Sequence, residues 1–476
     1  MKPSLSALRN SFTGLLASFI LMMFAASCGD FKKTNVVAPP STGGKVDFTR
    51  YVSLGNSLVA GYENGALYES AQKYSYPNLI AQEAGVAMGK TVVFNQPLIA
   101  DPGVGSLNGV TIGHLQIVSL SSSSPDIEPI LPPASGVPIN ALTVQQPYNN
   151  LGVPGAFLSD MMDTTSITNP ANPFFAAVLR TPALGKSCLQ QSLFPLLPPT
   201  FITVEIGDND ILGWVTYGGT SVPYTLPQDF DTKYTTLMNT LLAAAPNAKF
   251  AIANIPDVTV VPYVTTISRL IVAPDGQPIV VGGKHVPLFV QRHDANGNLY
   301  VGQADTVHDF ILLSAADSMR AFAGTSPAHP LLDPFVLDSF EVAEARQIIA
   351  QYNNTIKQIA DAHQDRIALV DVNSLLTNIA QHGYISDGVV LTSAFIEGGL
   401  FGLDGIHPTA QGYGVVANEF IRSINARFGS NIPSVVISLL PSTVVLAKSS
   451  LQPDVLPNIS YADLKPVLQL FDCRLR

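Results

Sequence analysis

The stretch Tyr51-Val52-Ser53-Leu54-Gly55-Asn56-Ser57-Leu58-Val59-Ala60-Gly61-Tyr62 decides how this chain is read. A short run of β-forming apolar residues stops at a glycine. A small hydroxyl residue follows, and then residues able to turn into a helix or loop. The pattern puts Ser57 at the carboxyl end of a first strand. In open α/β sheets that edge is where ligands bind. A serine held there exposes its hydroxyl and points its backbone N–H outward, as an acyl-transfer nucleophile requires. On its own, Gly-x-Ser-Leu is also an ordinary polar turn, so the rest of the chain has to decide.

Working outward, apolar or β-branched runs predict strands over residues 200–206, 248–255 and 366–372, with 91–99 as a further strand. Helical spacing covers 228–245 through Phe230, Tyr234, Leu237 and Leu241. It also covers 304–322, 339–363 and 409–428, with Thr409 as a candidate N-cap. Tyr76-Pro77-Asn78-Leu79 reads as a helix start. Turn signals at Pro274-Asp275-Gly276-Gln277 and Asp294-Ala295-Asn296-Gly297-Asn298 predict two hairpins. Residues 101–147, 169–199 and 258–303 read as insertions. Strand and helix signals alternate, which argues for an α/β fold with a parallel sheet and long decorations.

The composition narrows the classes. With 47% hydrophobic and 13% charged residues, the 476-residue chain can bury a large core. The net charge is −10 and neither a basic stripe nor a nucleic-acid motif is visible, which argues against a nucleic-acid partner. The eight histidines are scattered, with no Cys-x-x-Cys and no His-Glu-x-x-His, so neither a metal nor a cofactor is expected.

The N-terminus reads as a targeting segment. Lys2 and Arg9 precede an apolar run over 15–26, which ends in Phe24-Ala25-Ala26-Ser27-Cys28-Gly29. Small residues before a cysteine resemble a bacterial lipobox, where cleavage would leave Cys28 as a lipidated first residue, the signal segment being 1–28 with that cysteine. An ordinary secretory signal and an uncleaved anchor are the alternatives. A lipid anchor would place the protein in the cell envelope, with the outer membrane the expected site, and residues 29–47 would be its flexible tether. Cys188 and Cys473 form either one disulfide or two independent thiols. Residues 430–476 are an unassigned extension, and the protein is expected to be a monomer.

Four sites belong together: Ser57; Gly155 in Asn149-Asn150-Leu151-Gly152-Val153-Pro154-Gly155; Asn209 in Gly207-Asp208-Asn209-Asp210; and Asp404 with His407 in Asp404-Gly405-Ile406-His407-Pro408. All fall at expected carboxyl ends of strands or in loops feeding helices, which on a doubly wound sheet is one edge. Ser57 needs a base, His407 can serve as one, and Asp404 can orient the imidazole. The Ser57 and Gly155 N–H groups and the Asn209 amide can serve a developing oxyanion.

With these blocks in this order, the chain resembles the SGNH, or GDSL, hydrolase superfamily over residues 48–429. The resemblance implies a flavodoxin-like three-layer α/β/α sandwich and a metal-free serine esterase or lipase. It also implies Ser57, Asp404 and His407 as catalytic residues, with Ser57, Gly155 and Asn209 in the oxyanion hole. One departure stands out: Asn56 occupies the position of the family's aspartate, keeping an acceptor oxygen and losing the charge. The leading expectation is an exported, membrane-tethered hydrolase of carboxylic esters. Residues 101–147 and 269–303 would be either a lid or acyl groove, or a plain cover for the sheet edge. A carbohydrate or cell-envelope O-deacetylase and a non-catalytic binding lipoprotein are the competing readings.

Overall fold

Five short strands, β1 (Tyr51–Gly55), β2 (Asn150–Gly152), β3 (Phe201–Glu205), β4 (Lys249–Ala253) and β5 (Ile367–Val370), form one parallel sheet in the order β2-β1-β3-β4-β5. This is the flavodoxin-like doubly wound order, and its direction reverses between β1 and β3. The computed structural model describes residues 42, 44–105, 111–119, 126–168, 172–273, 276–442, 465 and 468.

The side-chain period of two divides each strand between two cores. Tyr51, Phe201, Ala251 and Val370 face one side of the sheet, while Leu54, Val204, Ile252 and Ile367 face the other. Because both faces are covered, the strands read as nearly unbroken apolar runs. The helices named below are α1 (Ser57–Ala60), α2 (Tyr76–Met88), α3 (Asn209–Thr216), α4 (Pro227–Ala244), α5 (Ser339–Ala362), α6 (Val372–His382) and α7 (Ala410–Phe428), beside several shorter ones. Helices α2 and α7 pack together on the first face, where Tyr76 stacks on Phe420 at 4.6 Å between ring centroids. Helices α4 and α5 cover the second face, where Phe230 stacks on Tyr352 at 4.0 Å. The expected α/β sandwich is therefore the observed fold, with five additional two-stranded antiparallel sheets among the described residues.

Capping explains where the long helices begin. Asp338 accepts hydrogen bonds from the Phe340 and Glu341 N–H groups, and Glu341 accepts from the Asp338 N–H, closing a capping box ahead of α5. Thr409 accepts from the Gly412 N–H ahead of α7.

Several local expectations need correction. Residues 91–99 join no sheet. The second sheet strand is instead Asn150–Gly152, inside the block read as a turn. The chain at Asn95 meets the sheet edge through Asn149, whose Oδ1 accepts the Asn95 N–H at 3.0 Å, so apolar residues lie extended there without a ladder. The helix expected over 304–322 is confined to a 3₁₀ turn at Leu313–Ala315 and a short helix at Ala316–Arg320. Its apolar residues pack under the insertion instead of forming one helical face.

The proposed signal segment and Cys28 lie outside the described residues. Part of the stretch read as tether is fixed to the fold: Thr42 bridges Asn431, the Lys45 N–H donates to the Phe428 carbonyl, and Val46 is buried. The start of the C-terminal extension is docked on α7. The Asn418 and Asn425 side chains each make a reciprocal pair of hydrogen bonds with the backbone, at Val435 and Ile432. Cys188 is a buried free thiol, and Cys473 lies outside the described residues. Among the described residues no helix is long and apolar enough to cross a membrane.

Candidate active site

The register explains why residues scattered over the sequence meet. Gly55 of β1 lies opposite Gly152 of β2 and Glu205 of β3. The turns that follow these three positions carry Ser57, Gly155 and Asn209, on three adjacent strands at one sheet edge. Gly155 has φ 73°, a left-handed conformation that a β-carbon disfavours. Asn209 opens α3, and its amide donates to the Ala156 carbonyl at 2.8 Å, tying the third block to the second. Asp210 strengthens the tie by accepting the Leu158 N–H at 2.9 Å.

The loop before α7 brings the remaining two residues. His407 Nε2 lies 2.9 Å from Ser57 Oγ, and His407 Nδ1 lies 2.9 Å from Asp404 Oδ2. Asp404 Oδ1 accepts the N–H groups of Ile406 and His407, each at 2.9 Å. Burial works to raise the Asp404 carboxyl, but the adjacent His407 and these donors outweigh it and hold the group below its ordinary range. The Tyr62 ring packs on the imidazole at 4.6 Å between centroids, and its hydroxyl donates to the Gly65 and Gly105 carbonyls. Tyr62 was not singled out in the sequence, where it reads as one more apolar residue after a turn.

In this order of serine, histidine and carboxylate, the imidazole can take the hydroxyl proton while the carboxylate holds the ring and stabilises its cationic form. The site is closed over: Ser57 is 3% exposed and His407 1%. Both line an apolar cavity, whose walls include Leu212, Val258, Leu376, Ile379, Phe401 and Val416. Among the described residues that line it, none comes from 101–147 or 269–303. The walls come from α3, α6, α7, the loop after β4 and the segment before Asp404.

The sequence profile of the GDSL-like lipase/acylhydrolase family matches residues 51–420. The chain belongs to this family. Two solved structures are similar to this GDSL-family chain. One is a putative GDSL-like lipase from Parabacteroides merdae, with 10% identity, 58% of this chain and 72% of that one covered, and a TM-score of 0.27. The other is a family 3 carbohydrate esterase from Clostridium thermocellum, with 12% identity, 80% and 98% covered, and a TM-score of 0.30. No curated protein matches the chain. Family membership supports hydrolysis of esters.

Among the described residues, one group has metal-ligand chemistry: His293, Asp338 and Glu341. His293 Nδ1 lies 3.0 Å from Asp338 Oδ2 and 3.9 Å from Glu341 Oε1. Both carboxylates are already engaged in the capping box of α5.

Proposed function

We propose that this GDSL-family protein is a serine hydrolase of carboxylic esters with an apolar acyl group. Ser57 would be the nucleophile, His407 the base and Asp404 its orienting carboxylate. The observation that carries the reading is the unbroken chain Ser57 Oγ, His407 and Asp404, with both contacts at 2.9 Å, opening on an apolar cavity.

In this reading, His407 Nε2 takes the Ser57 proton as Oγ attacks the ester carbonyl. The oxyanion is met by the Ser57 and Gly155 N–H groups and the Asn209 amide, whose second N–H is not the one donated to Ala156. The intermediate collapses, His407 returns the proton to the leaving alkoxide, and the acyl group stays on Ser57. Water then repeats the sequence and releases the acid. No step requires a cofactor or metal. We further propose export and anchoring through a lipidated Cys28, as a monomer at the outer membrane. Fatty-acid labelling of the protein in a bacterial host, lost in Cys28→Ala, tests that part.

The test of the activity is hydrolysis of nitrophenyl esters of increasing acyl length by the chain beginning after Cys28, beside Ser57→Ala and His407→Ala. The expected result is activity rising beyond acetyl and lost in both variants. A sharp optimum at acetyl would instead favour the O-deacetylase reading. Inactivity on these esters, on acetylated glycans and on phospholipids would favour a binding protein.

A further inference from the structure

The departure at position 56 has a physical counterpart across the sheet edge. The Asn56 Nδ2 donates to Asp208 Oδ2 at 2.5 Å and lies 3.5 Å from Glu205 Oε1, while Asn56 Oδ1 accepts the Leu58 N–H at 2.8 Å. All three side chains are buried, at 1%, 3% and 4% exposure for Asn56, Glu205 and Asp208. Neither carboxylate forms an ion pair among the described residues. The other oxygens, Glu205 Oε2 and Asp208 Oδ1, have no hydrogen-bond partner among the described residues. With one amide between two buried acids and no cation beside them, the Asn56 donor is the contact that ties both carboxylates to the Ser57 turn.

We propose that Asn56 is a positioning residue: its amide clamps the Ser57 turn to the buried Glu205–Asp208 pair across the sheet edge. The proposal rests on Ser57 being the nucleophile. Burial first, and then the Asp208 charge, hold the Glu205 carboxyl well above the ordinary range. The other titratable groups facing the pair are phenols, Tyr76 of α2, Tyr234 of α4 and Tyr413 of α7, and they bring no positive charge. The same clamp holds the turn after β3, where Asn209 follows Asp208 directly. The nucleophile and one oxyanion donor therefore hang from a single amide. An aspartate at 56 would still cap α1, but it would lose the donor and add a third acid to the pair. Asn56 and Asp208 are thus complementary, which gives the departure from the family motif a reason.

The test compares the parent with Asn56→Asp, the double variant Asn56→Asp/Glu205→Gln, and Ser57→Ala. It reads kcat and KM on a nitrophenyl ester, with near-ultraviolet circular dichroism as a check of fold. Asn56→Asp is expected to lose about 100-fold in kcat with KM little changed, the scale of a misplaced nucleophile. The double variant restores a donor opposite position 56 and is expected to regain at least about tenfold of that loss. If Asn56→Asp does not fold, recovery of fold and activity in the double variant supports the clamp, and failure to recover overturns it. Parent-like kcat in Asn56→Asp beside an inactive Ser57→Ala overturns the clamp alone. Full activity in Ser57→Ala overturns both the clamp and the nucleophile assignment.

Discussion

Gly65 and Asp404, 339 residues apart in the chain, are joined by a 2.7 Å hydrogen bond from the Gly65 N–H to Asp404 Oδ2. The same oxygen meets His407 Nδ1, while Oδ1 takes two further backbone N–H groups. The loop after β1 and the loop before α7 are thus fastened through one buried carboxylate. Asparagine could accept on one side only and would turn an NH₂ group toward donors. Asp404→Asn is expected to lower kcat by about 10⁴-fold, as loss of the imidazole's orienting anion does in serine hydrolases. Steady-state kinetics on a nitrophenyl ester check this.

Glu63 provides a pH dependence of stability. Burial first, and then the Asp404 charge, push its carboxyl up to about 8. Below the unfolded-state value of about 4.3 both states carry the proton and the stability is fully present. As the pH rises toward about 8 the unfolded chain ionises while the folded one holds its proton, so stability is lost through that window. Glu63→Gln cannot ionise. Its Tm is expected to exceed the parent's by several degrees at neutral pH and to match it in acid, as thermal unfolding over a pH series would show.

Gly152 lies where the sheet touches α1, the helix that begins at Ser57. A β-carbon there would stand 2.4 Å from the Ala60 nitrogen and 2.7 Å from the Val59 carbonyl carbon. Both are backbone atoms of α1, which cannot swing aside as a side chain would. Gly152→Ala is expected to shift α1 and lower kcat by about 100-fold, since displacements below 1 Å at a reacting atom are costly. The loss should be seen in kcat on every acyl length alike.

Leu376 of α6 lines the apolar cavity. Filling that space with a larger ring leaves Ser57 and His407 untouched and shortens the room for the acyl group. Leu376→Trp is expected to lower kcat/KM for long acyl esters by about 10- to 100-fold while acetyl ester hydrolysis holds. The chain-length series measured on the variant checks it.

The site blocks were legible because turn chemistry leaves strong marks. Glycines at fixed offsets, an amide opening a helix and a His-Pro pair ahead of an N-cap are each short signals, and their order reinforces them. The long helices α4, α5 and α7 showed through their apolar spacing. What escaped was structure set by tertiary contact. Strand β2 has three residues and no propensity pattern of its own; it exists because β1 offers an open edge. Helix α6 does carry an apolar stripe, Val372, Leu375, Leu376 and Ile379 at helical spacing, and all four line the cavity; this signal was present in the sequence and went unassigned. The Asn56 contact with Glu205 and Asp208 depends on pairing across two strands, which no local reading reveals.

The central claim is that Ser57 is the residue that becomes acylated. Its most direct test is to treat the protein with a fluorophosphonate, digest it and locate the adduct by mass spectrometry. The account expects one adduct, on the peptide containing Ser57, absent in Ser57→Ala and formed far more slowly in His407→Ala. An adduct on another residue, or equal labelling of Ser57→Ala, would contradict it.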